Sequence, residues 1–291
     1  MNSTSILCAF LSAVLMGTIG VFSKITGLSA EVITFARLIL GALFMLVFLL
    51  AIRKMRLALS WPSWPVVVSG CFLAGFIIFY VQAMNFTSMA NAIILVYLAP
   101  LVASVAAHFF LNERLTLLSY GLILLALFGF AMMLEFQVEL SRQSSEFIGI
   151  CLGALALLCY AGFILVNRII PQQIHVYTRA FYQLLVGALV MIPFMLPSVD
   201  EIRSEHLIWL AGTGFFPGFL AILFAVMALS RLPAATFGTI AYIEPVAVVI
   251  FGWTIFNESL NALQLAGCLL IILSGIGKTL VESSGASLPE T

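Results

Sequence analysis

Long apolar runs separated by short polar breaks dominate this chain of 291 residues. Each of ten runs approaches the roughly 20 residues that a helix needs to cross the hydrocarbon core of a bilayer. Two clear breaks are 53–56, which is mostly basic, and 197–201, which contains a proline and two acids. Such short connections leave no room for a separate soluble domain. The pattern predicts an all-α integral membrane protein with ten transmembrane helices, at 5–24, 31–52, 64–84, 89–111, 116–134, 147–168, 176–196, 207–228, 234–256 and 261–280.

Composition agrees with this pattern. Hydrophobic residues make up 63% of the chain and charged residues 8%, whereas a soluble domain carries about 25% charged residues. Only a bilayer accepts so much apolar surface. The formal net charge is zero and no large basic block is present, which argues against nucleic acid as a partner.

Motifs that would indicate a cofactor, a disulfide framework or a cleaved leader are missing. The five cysteines lie inside apolar runs and none forms a C-x-x-C pair, so neither a metal site nor a disulfide is predicted. No positively charged stretch precedes the first apolar run, so we expect it to be a retained helix rather than a signal peptide. The cysteines are Cys8, Cys71, Cys151, Cys159 and Cys268.

Basic residues fall unevenly on the two sides of the predicted spans, which sets the orientation because cytoplasmic loops carry an excess of Lys and Arg. Eight lie on one side and three on the other, and we expect both termini in the cytoplasm of a bacterium with the protein in its inner membrane. The first group is Arg53, Lys54, Arg56, Arg114, Arg168, Arg179, Arg231 and Lys278; the second is Lys24, Arg142 and Arg203, near the acids Glu139, Glu146, Asp200, Glu201 and Glu205.

A repeat with a spacing of 145 residues divides the chain into two halves. Segments 97–100 and 112–115 recur as 242–245 and 257–260, with Tyr, Pro, Asn, Glu and Leu in one register. Because each unit holds five spans, an odd number, the second half must enter the membrane with opposite polarity. The predicted domains are two inverted five-helix repeats, 1–140 and 141–282, followed by a disordered tail at 283–291.

Prolines interrupt three predicted spans. Pro100 and Pro245 lie near the middle of spans four and nine, where each removes one helical hydrogen bond. Interrupted helices at matching positions of two halves are typical of a transporter's binding region. A static kink, common in membrane helices, is the alternative. Pro217 predicts a further kink in span eight.

These features resemble EamA-type carriers of the drug/metabolite transporter superfamily over nearly the whole chain. The resemblance rests on the five-plus-five repeat, the two prolines, Arg37 in span two, and Glu113 and Glu258 at the start of spans five and ten. Asn precedes both glutamates, where the family usually has Gly. The resemblance implies transport of amino acids, sugars, nucleotide precursors or drugs, often outward and coupled to protons or exchange.

Glu244 is the strongest candidate for substrate binding or ion coupling. It lies about eleven residues into span nine, where a charged side chain costs roughly 2.5–3.5 kcal/mol unless it has a partner or water. Proton coupling and charge balance for a substrate ammonium group are both consistent with its position. A structural carboxyl group, hydrogen-bonded to a neighbouring carbonyl, is the alternative.

Other polar residues inside the spans are weaker candidates. Arg37 could bind a substrate carboxylate, although snorkelling to the interface explains it as well. We expect the repeat-related Tyr97 and Tyr242 to line a cavity, while Tyr80 and Tyr160 also suit hydrogen bonds between helices. The remaining candidate is His108, which could relay protons, although a structural role is the favoured explanation for a single histidine near an interface.

Three classes of function compete at this stage. An alternating-access carrier of small metabolites, with a lean towards amino acids or amines, agrees best with the repeat. A membrane-embedded enzyme is disfavoured because no metal or nucleophile motif is present. A channel would need rings of charges or carbonyls. We expect a small-molecule substrate, a lipid bilayer, and a monomer or homodimer.

Overall fold

The protein is described by a computed structural model that covers residues 3–87, 89–113, 116–136, 144–257 and 261–285. The described residues form helices joined by short connections, with no strand among them. The α-helices are α1 (Ser3–Thr26), α2 (Ala30–Ala51), α3 (Arg56–Leu59), α4 (Trp64–Ala83), α5 (Met89–Tyr97), α6 (Ala99–Phe110), α7 (Leu117–Met133), α8 (Ser144–Ile169), α9 (Val176–Met195), α10 (Leu207–Thr213), α11 (Ala221–Leu229), α12 (Ala234–Ala241), α13 (Ile243–Phe256) and α14 (Ala262–Gly285).

Seven helical segments are long and apolar enough to cross a membrane, so the chain is a multi-pass membrane protein. They match seven of the ten predicted spans. The other three predicted spans, 89–111, 116–134 and 261–280, overlap shorter apolar helices, at Leu95–Phe110, Leu117–Met133 and Ala262–Lys278. The seven long segments are Ser3–Thr26, Ala30–Ala51, Trp64–Ala83, Phe147–Ile169, Val176–Glu201, Ser204–Leu229 and Ala234–Phe256.

Each predicted proline kink coincides with an irregular helix. A break at Leu98 separates α5 from α6, and a break at Tyr242 separates α12 from α13. Pro100 and Pro245 lie in the first turn after each break, where a missing N–H group removes no further helical bond. In span eight, Pro217 lies in a π-helical segment, Gly214–Leu220, that joins α10 to α11. The breaks therefore precede the prolines rather than falling on them.

Glycines let the π-helical segment touch α2 along its backbone. A Cβ atom added at Gly218 would lie 2.3 Å from the Arg37 carbonyl oxygen, and one at Gly214 would lie 2.3 Å from the Cβ atom of Leu40. Any larger side chain would separate the two elements. The close approach at this Gly-x-x-x-Gly pair fixes Arg37 against the irregular part of span eight.

A buried polar network joins α4, α8 and α9. The Asn167 side-chain amide donates to Ser69 Oγ at 2.8 Å, and Gln183 Nε2 donates to Asn167 Oδ1 at 2.9 Å. All three side chains are fully buried or nearly so. Such bonds between helices are how a membrane protein accommodates amide groups away from water, and they keep these three helices in register.

The C-terminal helix is longer than the sequence predicts. The helix α14 continues to Gly285, past the predicted start of a disordered tail at 283, because no proline or glycine interrupts 279–284. Residues 286–291 lie outside the described residues. So do Arg114, Glu139, Arg142 and Glu258, which the predicted orientation and repeat invoked.

Candidate functional site

A cavity of about 390 Å³ lies inside the helical bundle. Ligand-binding pockets are usually about 300–1,000 Å³ in volume, so this one suits a small solute. Its walls come from α1, α2, α4, α5, α7, α8, α11, α12 and α13 and are mostly apolar. The polar side chains among its described lining are Ser12, Arg37, Tyr80, Tyr97, Tyr160 and Glu244.

The lining residues lie towards one end of the bundle. Leu134 directly follows the last residue of α7, and Gly20 lies in the last two turns of α1. The sequence predicts that this end carries few basic residues. On the other side, the lining stops at Phe163, Ala225 and Phe237, one to two turns before the helix termini where Arg168, Leu229 and Ala234 meet. The cavity therefore reaches from the middle of the bundle towards the less basic end.

Glu244 enters the cavity from the first turn of α13, directly after the break at Tyr242. The Tyr97 hydroxyl group and the Arg37 guanidinium group lie near enough to influence its carboxyl group, the first as a possible donor and the second through its charge. The break ends α12 early enough to place Glu244 at the start of a new helix, where the positive end of the helix dipole favours a carboxylate. The structure thus gives this intramembrane acid a cation, a donor and a helix terminus.

Arg37 is buried, with 7% of its surface exposed, and lines the same cavity from α2. Its Nε atom donates to the Pro217 carbonyl oxygen at 3.1 Å, and its Nη2 atom contacts the sulfur of Met16. The irregular π-helical segment leaves the Pro217 carbonyl accessible to a side chain from α2. Arg37 is therefore held inside the bundle. From the sequence alone, snorkelling to the membrane interface was the alternative.

Arg37 and Glu244 are the two residues with a formal charge among the described lining of the cavity. A buried ion of one sign is strongly unfavourable without a partner, and each of these supplies the opposite charge to the other. The cavity is therefore neutral as a whole but has one positive and one negative group, and such a site can bind a molecule with both charges.

Aromatic rings form two groups on the cavity wall. Phe76 stacks on Tyr160 with ring centroids 4.8 Å apart, and Tyr80 lies beside Phe76 at 6.4 Å. In the second group, Tyr97 packs on Phe130 with ring centroids 4.3 Å apart. Rings so arranged give broad apolar surface with hydroxyl groups at their edges, which suits the apolar part of a small solute.

The structure brings together five of the residues that the sequence singled out. Glu244, Arg37, Tyr97, Tyr80 and Pro245 all line the cavity. Sequence reasoning did not assign Tyr160, Phe76 or Ser12 to it. The spacing of Phe76 and Tyr80, one helical turn apart on α4, could have indicated a shared aromatic face, but nothing local distinguishes Tyr160 from a tyrosine that packs between helices.

Four predicted residues lie outside the cavity lining. The fully buried Tyr242 donates its hydroxyl hydrogen to the Tyr97 carbonyl oxygen, and Pro100 packs against Gly238. Exposed His108 lies beside the Glu113 carbonyl oxygen near the end of α6. Pro217 acts through its carbonyl group, which binds Arg37.

An ion pair joins several helix ends on the side away from the cavity. Arg168 Nε lies 2.6 Å from Glu113 Oε1, and Arg168 Nη1 donates to the Leu229 carbonyl oxygen at 3.0 Å. The second carboxylate oxygen of Glu113 accepts a hydrogen bond from the backbone N–H group of Ala234 at 2.8 Å. The sequence placed Glu113 at the start of span five. In the structure its carboxylate instead caps the N-terminus of α12. This cluster connects the end of α8 with the α11–α12 turn.

A bundle of membrane helices around a partly polar, mostly apolar cavity is the architecture of a transporter of small solutes. The chain belongs to the EamA-like transporter family: the family model matches residues 3–135 and, a second time, residues 147–277. The protein is therefore a membrane transporter and not an enzyme.

Named relatives and a solved structure agree with this assignment. The chain is 25% identical to the uncharacterized transporter YxxF of Bacillus subtilis, over 98% of this chain and 92% of that protein. It is 29% identical to the pseudopaline exporter CntI of Pseudomonas aeruginosa (86% of each chain), and 24% identical to the threonine/homoserine exporter RhtA of Escherichia coli (89% of this chain and 84% of that one). A crystal structure with 20% identity covers 97% of this chain and 99% of its own, with a TM-score of 0.82, and so has the same fold.

Proposed function

We propose that this protein is an alternating-access exporter of small zwitterionic metabolites, of the amino-acid class, with an apolar side chain. The observation that carries the proposal is the presence of Arg37 and Glu244 in the lining of one aromatic-walled cavity. An α-amino acid has a carboxylate that suits a guanidinium group and an ammonium that suits a carboxylate. Its side chain would occupy the space between the ring groups of Phe76 and Tyr97.

The size and chemistry of the cavity support a small substrate over a bulky one. A volume of about 390 Å³ accommodates an amino acid or a comparable conjugate, and its apolar walls favour a hydrocarbon or aromatic portion. Tyr80 and Tyr160 add hydroxyl groups that can bind substrate polar atoms. Sugars and nucleotides, which carry many hydroxyl or phosphate groups, would leave most of their polar atoms unsatisfied here.

The names of relatives support both the class of substrate and the direction. CntI is named for the export of pseudopaline and RhtA for the export of threonine and homoserine. Because the similarity to CntI and RhtA extends over most of each chain, it favours a comparable role for this protein in the inner membrane of a bacterium.

We further propose that the two family matches correspond to two inverted five-helix repeats, 1–140 and 141–282, which give ten spans with both termini in the cytoplasm. The repeat of residue types at a spacing of 145 supports this layout, and so do the matched breaks before Pro100 and Pro245. Five spans per repeat require opposite polarity of the two halves. Among the spans outside the seven long segments, α5 and α6 together run from Met89 to Phe110 and α14 runs from Ala262 to Gly285, lengths that suffice to cross a bilayer.

In this layout the cavity faces outward and the Glu113–Arg168 pair closes the cytoplasmic side. Opening that side would require the ion pair and the bond to Ala234 to separate, while the helices on the outer side close over the substrate. The Glu244 carboxylate would bind either the ammonium group of the substrate or a proton, but not both at once. Such competition is a route to exchange of substrate for protons.

Flux in proteoliposomes tests the proposal. We would measure efflux of labelled leucine, phenylalanine, threonine and a charge-lacking analogue of each, with and without an imposed pH gradient, for wild type and Glu244→Gln. Glu205→Gln is the matched control, because it makes the same chemical change at an exposed position of the α9–α10 connection. We expect saturable efflux that is accelerated by substrate on the opposite side and lost in Glu244→Gln alone.

Other results would contradict specific parts of the proposal. Equal transport of the amino acid and its charge-lacking analogue would show that Arg37 and Glu244 do not recognise the charges of the substrate. Unsaturable flux near the rate of open diffusion would indicate a channel. Efflux that is unaffected by the pH gradient but requires substrate on the opposite side would support exchange of one substrate molecule for another. It would exclude coupling to protons.

A further inference from the structure

A second pocket, of about 230 Å³, lies among helix ends on the basic side of the bundle. Its described lining contains Arg179 and Arg231, with no acidic residue among the described side chains that form it. It lies apart from the central cavity, with which it shares no lining residue. The other lining residues are Gln172, Ile174, His175, Val176 and Ser230.

Arg179 forms the floor of this pocket and is 2% exposed. Its Nε atom donates to the Ile174 carbonyl oxygen at 2.9 Å, and its Nη2 atom donates to the Pro171 carbonyl oxygen at 2.9 Å. These two bonds hold the guanidinium plane against the α8–α9 connection. They satisfy two of its donors but leave its positive charge without a carboxylate among the residues that line the pocket. The arginine is thus fixed in place before any ligand binds.

Arg231 stands at the rim of the pocket and is exposed. It lies in the turn between α11 and α12, so its side chain approaches the pocket from a different element than Arg179 does. Glu113, whose carboxylate reaches the backbone N–H group of Ala234 near the same turn, is already paired with Arg168. Two arginines that converge on one polar space from separate elements are typical of a site for an oxyanion.

His175, directly before α9, is a third basic residue on the wall of this pocket. His175 precedes α9, where its Nδ1 atom accepts a hydrogen bond from the Tyr177 backbone N–H group. Partial burial, together with the charges of Lys54 and Arg179, lowers the pKa of the His175 imidazole below its usual 6.5. A third cation is therefore disfavoured in the empty pocket, and an anion would be favoured.

We propose that this pocket is a binding site for a phosphate group, with Arg179 at its floor and Arg231 and the N-terminal end of α9 at its rim. The predicted orientation places it at the cytoplasmic surface of the membrane, where anionic phospholipids are abundant. Basic pockets between membrane helices on that side bind lipid head groups. The same chemistry would accept a free phosphate ester from the cytoplasm, and the two sources are separated by experiment.

Thermal unfolding of the full chain in an uncharged detergent tests the site. The probes are phosphatidylglycerol, phosphatidylcholine and inorganic phosphate, each titrated against wild type, Arg231→Gln and Arg56→Gln. Arg56 is the matched control because it is an exposed arginine on the same predicted face and does not line the pocket. We expect phosphatidylglycerol to raise the unfolding temperature of wild type, and Arg231→Gln to weaken its apparent affinity about fivefold, with Arg56→Gln unchanged.

The outcomes distinguish the two sources and the failure of the site. Stabilisation by inorganic phosphate that Arg231→Gln weakens would assign the pocket to a soluble phosphate. The proposal would be overturned if neither phosphatidylglycerol nor inorganic phosphate stabilised wild type, or if each stabilised wild type and Arg231→Gln equally.

The ionisation of His175 gives an independent readout that does not depend on stability. NMR titration of the imidazole, assigned with His175→Asn, should show its pKa rising when the effective anion is bound, because a negative charge favours the imidazolium form. Asn can keep the cap of α9 at this position. An imidazole pKa that is the same with and without saturating phosphatidylglycerol or phosphate would show that neither anion enters the pocket.

Discussion

Segments 97–100 and 242–245 carry the same Tyr and Pro residues, yet the structure uses them differently. In the first segment Tyr97 lines the cavity, while Ala99 and Pro100 are buried against other helices. In the second, Tyr242 is buried and the adjacent Glu244 and Pro245 line the cavity. The helix breaks at Leu98 in one case and at Tyr242 in the other, one position earlier in the shared register.

The two segments touch each other, and their differences are complementary. The Tyr242 hydroxyl donates to the Tyr97 carbonyl oxygen, and the rings lie 5.8 Å apart. Gly238 on α12 allows Pro100 to approach, whereas the matching position in the first half is Ile93, which lines the cavity. Each copy of the repeated sequence therefore contributes different positions to the cavity wall: the first contributes Tyr97, and the second contributes Glu244 and Pro245.

The largest effect on efflux should come from replacing Glu244 with the residue at the matching position of the first segment, Ala99. Glu244→Ala reproduces the alanine of the first segment and removes a charge-assisted bond to substrate, worth about 1.5–3 kcal/mol, so we expect efflux to fall roughly 10- to 150-fold. Adding Ala99→Glu to this variant should not restore transport, because Ala99 is fully buried in protein. Proteoliposome efflux measures both. Rescue by the second substitution would mean that the two positions are equivalent in the working protein.

Contact between the segments can be broken at Gly238. A Cβ atom there would lie 2.7 Å from the Pro100 Cβ atom, and the rigid proline ring cannot rotate away. We expect Gly238→Ala to lower the free energy of unfolding by about 1–3 kcal/mol. Thermal unfolding in detergent gives the comparison, with Gly275→Ala as control because a Cβ atom at Gly275 meets nothing within 4 Å. Equal stability of the two variants would show that α6 and α12 are free to separate here.

The two tyrosines separate binding from support. Tyr242→Phe removes a buried hydrogen bond to a backbone carbonyl and should cost about 1 kcal/mol of stability while efflux changes little. Tyr97→Phe removes the donor that faces Glu244, so substrate affinity and the pH dependence of efflux should change with stability nearly intact. Unfolding and efflux are measured on both variants. The reverse assignment of effects would place Tyr242, not Tyr97, at the site.

The smallest effect concerns the starts of α2 and α9, which hold matching places in the two halves. The Ser29 N–H group binds the Glu201 carboxylate at 2.9 Å, whereas α9 is capped by His175 beside Lys54 and Arg179. Because the folded-state pKa of His175 is lowered, its contribution to stability is present above pH 6.5 and is lost as the pH falls through the folded-state value. His175→Asn should make the unfolding temperature slightly less dependent on pH between 7 and 5. An unchanged slope would remove His175 as the source.

Several features followed from local properties of the sequence. Apolar runs and their breaks gave the helices, because the bilayer leaves the backbone no alternative to helix for such segments. Pro100, Pro245 and Pro217 predicted irregular helices, since a proline cannot donate a hydrogen bond to the helical turn before it. The cost of an intramembrane charge pointed to Arg37 and Glu244, and both line the cavity.

Other features depended on which helices became neighbours. Whether Tyr80, Tyr160 or Tyr242 faced the cavity could not be read from residue type, since a tyrosine suits a cavity wall and a helix contact equally well. The partners of Glu113 came from α8 and the α11–α12 turn, more than 50 positions along the chain. The sequence by itself thus determined the membrane helices, their interruptions and the charged residues that need partners. Only the tertiary structure decided which positions of each copy face the cavity, because packing covers the other positions, such as Ala99 and Tyr242, with protein.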